Sequence, residues 1–276
     1  MDRLPAELLM YVFLFVESGK RGRLALVCRG WKRVLDYASL WKDATAYLGK
    51  YSKRQYRSID TRHVSKAKLV QGFDWTILPP RMCDVNVGGL YDNFGRLLTM
   101  DRRVLCNLTR LDNVTDADMV FATNSMPNLS CLNVTRCVRL SNSSMDTFNY
   151  TRLVHLNMSC CIHVTNGGLY KLCIPTLRTL HASQVWDLLP ACYAELLICM
   201  PELEDLEINY AEDFCADVLH KFVLTLKKLR VLTLFASSEI DIHKIKLAVR
   251  DYDCKYRKVP LKVGVASVAT NTYYLS

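Results

Sequence analysis

Residues 4–41 read LPAELLMYVFLFVESGKRGRLALVCRGWKRVLDYASLW, from Leu4 to Trp41. From Leu8 to Val16 the run is LLMYVFLFV, and the Tyr11 hydroxyl is its one hydrogen-bonding side-chain group. Pro5 suits the first turn of a helix, where a missing N–H costs no hydrogen bond. A helix that is apolar on every side must be covered on every side. A module of about forty residues has too small a core to do that by itself. The stretch therefore predicts a short helical module with an outer face covered by a partner, as at an obligate interface.

Three clusters within the stretch carry a resemblance. They are the opening Leu4-Pro5 with Glu7, Leu8 and Leu9; the middle Val27-Cys28 with Trp31; and the closing Leu40-Trp41. Together they resemble the F-box, the helical module that joins a protein to a cullin-type ubiquitin ligase through a Skp-family adaptor. The resemblance covers about a seventh of the chain. It implies three helices within residues 1–45. It also implies adaptor contacts at Leu4, Pro5, Leu8, Val27, Cys28 and Trp31, with a cullin and a RING subunit reached through the adaptor. Between its first two helices the family usually has a Pro and an Asp-Leu pair. Here the segment is Glu17–Arg23, ESGKRGR, which reads as a polar, flexible loop.

Working outward, residues 46–81 read as a basic, Tyr-rich linker followed by an irregular first strand over 66–75. From Met82 an internal repeat sets in. Each unit is apolar at p, p+3, p+5, p+8 and p+11, as in Leu129, Leu132, Val134, Cys137, Leu140 and in Leu153, Leu156, Met158, Cys161, Val164. Starts at 82, 103, 129, 153, 177, 203 and 229 are 21 to 26 residues apart. The unit at 103 is degenerate. The period is that of leucine-rich repeats. Cys137 and Cys161 at p+8, with Val164-Thr165-Asn166-Gly167-Gly168-Leu169, resemble the cysteine-containing subtype of that family.

The expected fold is α/β: a three-helix module, then a leucine-rich-repeat solenoid over 82–265, then a tail over 266–276. Strand alternation puts p+3 and p+5 in the core. The second half of each unit supplies a helix, as in Leu169/Leu172/Cys173, Tyr193/Leu196/Leu197/Met200 and Val218/Leu219/Phe222/Leu226. Stacked units make a parallel sheet on the concave side and helices on the convex side. Asp187 and Asp213 stand where N-caps belong. Pro127, Pro175 and Pro201 end helices shortly before the next strand. Residues 255–265 alternate like a closing strand, and the tail either caps the arc or folds back into it.

The formal charge of +9 is unevenly spread. Residues 1–70 hold fifteen Lys/Arg against six Asp/Glu, whereas residues 179–220 hold none against nine. The chain is charge-segregated rather than uniformly basic. This argues against a nucleic-acid partner as its main business. The basic run Lys50–Arg57 next to the helical module reads as a solvated linker helix or, more sharply, as a contact for RNA or an acidic neighbour.

Twelve cysteines occur without any C-x-x-C pair. Cys160-Cys161-x-His163 is the one dense cluster, and adjacent cysteines rarely reach one metal together. Most cysteines here read as small buried hydrophobes. No metal or cofactor is expected. Seven N-x-[ST] sequons run from Asn107 to Asn157. With the apolar N-terminal run they describe a competing secreted glycoprotein. Asp2 and Glu7 make the would-be leader acidic where a basic one is expected. Asn107, Asn133 and Asn157 also fall at p+4, a position on the exposed strand face. The expected compartment is the cytoplasm or nucleus, with no membrane span.

Phosphate-binding, nucleophile-elbow and metalloprotease motifs are missing from the sequence, so no enzymatic activity is expected. The expected function is substrate recognition for a Skp–cullin–F-box ubiquitin ligase. The alternative is an F-box/repeat scaffold that binds partners without promoting ubiquitination. Candidate target-binding residues are His155, Asn157, His181, Asp205, Glu207, Tyr210 and Phe235. Carboxylates beside aromatics on that face suit a target with a basic segment.

Overall fold

The computed structural model describes residues 4–49, 53–70, 73, 82–86, 107–109, 114–149, 151–185, 197–209, 214–236, 238–256, 261–267 and 273–274. The chain divides into two compact units: Met1–Leu90 with Val104–Asn107, and Tyr91–Arg103 with Leu108–Ser276.

The first unit begins with helices α1 (Ala6–Leu14), α2 (Ser18–Leu24) and α3 (Arg29–Leu35), then a 3-10 turn at Ala38–Trp41. Pro5 takes the N-cap position of α1, and its carbonyl accepts the Leu9 N–H at 3.1 Å. Leu9 and Phe13 of α1 are buried with Val34, Leu35, Leu40 and Trp41. The Trp41 indole N–H donates to the Leu35 carbonyl at 2.5 Å, which satisfies the one polar atom of that ring.

Residues 17–23, expected as a flexible loop, are mostly helix α2. The reason is Arg21. Helix α1 ends with carbonyls that lack helical partners. The Arg21 guanidinium reaches back to them, donating to Phe13 at 2.9 Å, Val16 at 2.7 Å and Leu14 at 3.1 Å. It also donates to the Leu40 carbonyl and, at 3.0 Å, to the Asp43 carboxylate. Five fixed donors in one planar group are a property of arginine alone.

The expected linker contains β1 (Thr45–Leu48) and α4 (Lys53–Thr61), and the expected irregular strand is β2 (Lys66–Leu69). Strands β1 and β2 pair in parallel, with Thr45 opposite Lys66 and Tyr47 opposite Lys68. On its other side β2 pairs in parallel with β3 (Asp84–Asn86).

Strand β4 (Asn107–Thr109) follows, with Asn107 assigned to the first unit and Leu108 to the second. In the second unit follow α5 (Asp116–Ser125), β5 (Cys131–Asn133), α6 (Met145–Phe148), β6 (His155–Asn157), α7 (Asn166–Leu169) and β7 (Thr179–Ala182). Then come β8 (Asp205–Asn209), α8 (Ala216–Thr225), β9 (Val231–Ala236), α9 (Glu239–Tyr256), β10 (Lys262–Ser267) and β11 (Tyr273–Tyr274). Strands β5 to β10 pair in parallel in chain order, with Leu132, Leu156, Leu180, Leu206, Leu232 and Val263 in one row. These six and their neighbours Val134, Met158, Ala182, Ile208, Leu234 and Val265 are all buried, as the alternation requires. Cys137 and Cys161 are buried too. The Cys161 thiol donates to the Val134 carbonyl at 3.2 Å, and burial pushes its pKa up to about 12.

Several local expectations change. Helix α7 covers four residues, so Leu172 and Cys173 lie beyond it. Its Gly167-Gly168 pair favours the unfolded backbone over helix. Helix α8 has Cys215, not Asp213, at its N-cap position. Asp187, Asp213, Tyr193 and the degenerate unit's Cys106 fall outside the described residues. The closing strand is Lys262–Ser267, because α9 continues to Tyr256. The tail folds back as β11, antiparallel to β10, with Tyr273 opposite Val265. Arg136, Cys160 and Gln184, each seven residues past a unit start, turn the chain with φ of 65°, 63° and 56°.

Candidate functional site

Two surfaces stand out, one in each unit. The first is on the helices of residues 4–41. Burying Leu9 and Phe13 uses only one face of α1, since neighbours on that face recur every three to four residues. The opposite face leaves Leu8, Tyr11, Val12 and Leu14 exposed. Phe15, just past the helix end, is 91 % exposed, and Leu26, after α2, is 86 % exposed. A cluster of bare apolar side chains on this scale marks an interaction site.

Of the residues expected to contact an adaptor, Leu4, Cys28 and Trp31 line one cavity of about 520 Å³ together with Leu9, Val34 and Tyr37. Pro5, Leu8 and Val27 are exposed outside it. Trp31 is half-buried, edge-on to Phe13 with ring centroids 5.1 Å apart. Cys28 is the N-cap of α3, and its Sγ accepts the Trp31 N–H at 3.4 Å. Trp31 and Cys28 thus build the module as well as line its cavity. Sequence reasoning did not single out Phe15, Leu26 or Tyr37. The signal for Phe15 was the length of the apolar run, which exceeds what one buried helix face can absorb.

The second surface is the polar face of β5 to β9. Parallel register sets His155, Thr179 and Asp205 in one row, and Asn157, His181 and Glu207 in the next. His181 lies between two carboxylates: Nε2 is 3.7 Å from Asp205, and Nδ1 is 3.7 Å from Glu207. The Asp205 carboxylate raises the His181 pKa; burial opposes this, and Glu207 adds to the rise. The His155 Nδ1 is 2.9 Å from the Thr179 hydroxyl. Phe235 sits beside Asn209 in the β8–β9 register. Tyr210 lies outside the described residues.

A run of hydrogen bonds crosses this face. The Thr135 hydroxyl is 2.9 Å from the Asn157 side-chain oxygen, which accepts the Ser159 N–H at 3.0 Å. Ser159 Oγ is 3.1 Å from Ser183 Oγ, and Ser183 donates to Glu207 at 2.5 Å. Glu207 is therefore held by Ser183 on one side and His181 on the other, while Asp205 is freer. The Ser183 proton goes to a carboxylate rather than to imidazole, so this trio lacks the nucleophile-to-base bond of an acyl-transfer site. Sequence reasoning missed Thr135 and Ser159, because a lone hydroxyl in a strand gives no sign of its cross-strand partner.

Adjacent Cys160 and Cys161 point apart: Cys160 Sγ is 3.2 Å from Gln184, whereas Cys161 turns into the core. Among the described residues no group of three His, Cys, Asp or Glu side chains gathers as a metal site, and no helix is long and apolar enough to cross a membrane.

Comparison with known proteins adds three findings. Residues 1–45 match the F-box-like family model. No curated protein matches the chain. Among solved structures, a chain in the crystal structure of the Rad7 and Elc1 complex in yeast is similar at 13% identity and a TM-score of 0.44, over 85% of this chain and 90% of that one.

Proposed function

We propose that the F-box-like helices of residues 1–45 dock a Skp-family adaptor, and that the remainder of the chain presents a target protein to the cullin and RING subunits gathered by that adaptor. The observation that carries the reading is the exposed apolar surface at Leu8, Tyr11, Val12, Phe15, Leu26 and Val27, within the matched residues. Residues 82–265 are read as a leucine-rich-repeat arc, supported by the 21-to-26-residue period and by parallel strands in chain order. The chain performs no bond chemistry of its own. It raises the effective concentration of a target lysine near a charged conjugating enzyme. The working compartment is the cytoplasm or nucleus, where thiols stay reduced.

The target face is read as the row of His155, Asn157, His181, Asp205, Glu207 and Phe235. Asp205 and Glu207 favour a target with a Lys- or Arg-bearing segment. The test is co-purification from cells with and without a proteasome inhibitor. Recovery of adaptor and cullin, with a target whose lifetime lengthens when this chain is removed, supports the reading. Recovery of adaptor with no lifetime change in any bound protein supports a scaffold that does not promote ubiquitination.

A further inference from the structure

The first unit carries a second surface, lined by residues other than those read as the adaptor-docking face. Strand β1 pairs with β2 on one side only among the described residues. The Leu48 carbonyl accepts the Val70 N–H at 2.8 Å, so Leu48 points its backbone groups toward β2. Backbone direction alternates along a strand, so Ala46 points the same way, while Thr45 and Tyr47 point their N–H and C=O groups outward. No backbone group among the described residues pairs with them there. Unpaired groups in a row form a template for another extended chain.

Two features beside this edge select the occupant. On the polar face, Lys66 and Lys68 of β2 stand opposite Thr45 and Tyr47. The Lys68 ammonium leans over the Tyr47 ring, 5.9 Å from its centroid, toward the open edge. Thr45 is too short to screen Lys66 from it. Neither lysine makes an ion pair among the described residues, although Asp84 neighbours Lys66 on β3. Asp43, on which Lys66 acts at longer range, is engaged directly by Arg21. Beside the edge lies a cavity of about 420 Å³, walled by Gly19, Gly22, Trp41, Ile59, Arg62 and Val64. A Cβ on Gly19 or Gly22 would meet nothing within 4 Å, so α2 leaves that wall open. Arg62 lies flat over Trp41, 4.5 Å from the ring centroid.

We infer that the outer edge of β1 accepts an extended segment of a partner protein as an added strand, one that alternates acidic and apolar residues. Its acidic side chains meet Lys66 and Lys68, and its apolar ones enter the cavity beside Trp41. Backbone pairing supplies the binding and the two flanks supply the selectivity, as in other strand-addition complexes. A polypeptide rather than RNA fits, because the edge offers alternating N–H and C=O groups at strand spacing.

The test uses the full chain and a fluorescein-labelled decapeptide of alternating Val and Glu, read by anisotropy. A Val/Lys decapeptide and an oligouridylate are the comparisons. The Val/Glu peptide binds, and salt weakens it. Lys66→Glu with Lys68→Glu weakens it by about tenfold or more. Tyr47→Pro removes an outward N–H and abolishes binding, whereas Tyr47→Ala keeps that N–H and loses only part. Two Val/Glu peptides, N-methylated on one or the other set of alternate residues, guard against a misfolded proline variant: one of them must fail to bind. Failure of the Val/Glu peptide to bind overturns the inference, as does equal binding of Val/Lys or of both methylated peptides. Oligouridylate binding that survives N–H removal assigns the surface to nucleic acid instead. Dimerisation of the chain that Tyr47→Pro abolishes assigns it to a second copy.

Discussion

Arg21 and Asp43 meet at 3.0 Å across twenty-two residues of chain, one side chain 3% exposed and the other 64%. The two ends of this ion pair are therefore unequal. Asp43 keeps most of its hydration, while Arg21 depends on the carbonyls of Phe13, Leu14, Val16 and Leu40 around it. Arg21→Met strands the Leu14, Val16 and Leu40 carbonyls, while Phe13 keeps the Val16 N–H, and is expected to destabilise the first unit by about 2–4 kcal/mol. Asp43→Asn removes a solvent-screened charge and costs about 0–1 kcal/mol. Arg21→Lys does not rescue, because an ammonium cannot reach five acceptors from one plane. Denaturant unfolding of the three variants checks the order. The Arg21 hydrogen bond holds the Asp43 carboxyl below its usual pKa. Its contribution is present above the ordinary carboxylate range and fades as pH falls through the depressed value.

The docking face separates binding from stability. Phe15→Ala with Leu26→Ala removes two bare side chains, so the unfolding midpoint stays put while adaptor binding falls by about 2 kcal/mol or more. Phe13→Ala, in the core beside Trp31, costs about 3–5 kcal/mol of stability. Calorimetric titration with a purified Skp-family adaptor, beside a thermal melt, tells these apart. Leu4→Ala with Pro5→Ala should also weaken the adaptor. Undiminished binding by both double variants would sink the docking surface.

Cys28→Ser exchanges a thiol for a better N-cap acceptor at the start of α3. Stability should hold or rise by a few tenths of a kcal/mol, about what cap exchanges give. A loss of adaptor binding by this variant at unchanged stability would show that the sulfur itself touches the partner.

His181 should make target capture depend on pH. Its pKa is raised by Asp205, so its favourable contribution is complete below the ordinary histidine range and is lost as pH rises through the elevated value. Among the described residues, the charged groups that face it are Asp205 and Glu207, both on β8. Deprotonation frees both carboxylates for a cationic segment, so capture of a basic target strengthens over that same pH window. His181→Asn should flatten the dependence, and Asp205→Asn should weaken capture at every pH. Glu207→Gln is a cleaner probe than charge reversal, since Ser183 already donates to that carboxylate. An imidazole titration followed by NMR alongside a capture assay reads both effects.

Gly168 has no room for a side chain. A Cβ there would lie 2.3 Å from the Asn142 side-chain oxygen, which also accepts the Thr165 N–H at 2.9 Å. Asn142 cannot swing aside without losing that bond and the one from its own amide to Thr165. Gly168→Ala should cost about 1–3 kcal/mol, the usual range for overpacking. Adding Asn142→Ala should recover part of it, because the clash disappears. A double variant no more stable than Gly168→Ala alone would contradict the clash.

The row from Leu132 to Leu232 was legible because a recurring apolar pattern marks each strand and alternation decides which of its residues turn inward. Arg21 was not legible. In Gly19-Lys20-Arg21-Gly22-Arg23 three cations look alike, and only the position of the open carbonyls of α1 decides which turns inward. The His181 clamp was half legible: alternation placed Asp205 and Glu207 on its face, but their distance to an imidazole on the next strand depends on rotamers. The short α7 was misread because Leu169 and Leu172 have helical spacing, whereas the glycines before them set where the backbone stays helical.

Strand β11 reverses direction against β10, so part of the last parallel strand's outer edge, at Gly264 and Val265, is paired with the chain's own tail. An antiparallel partner there ends the parallel stacking, and a further parallel strand finds no bare β10 backbone at those two positions.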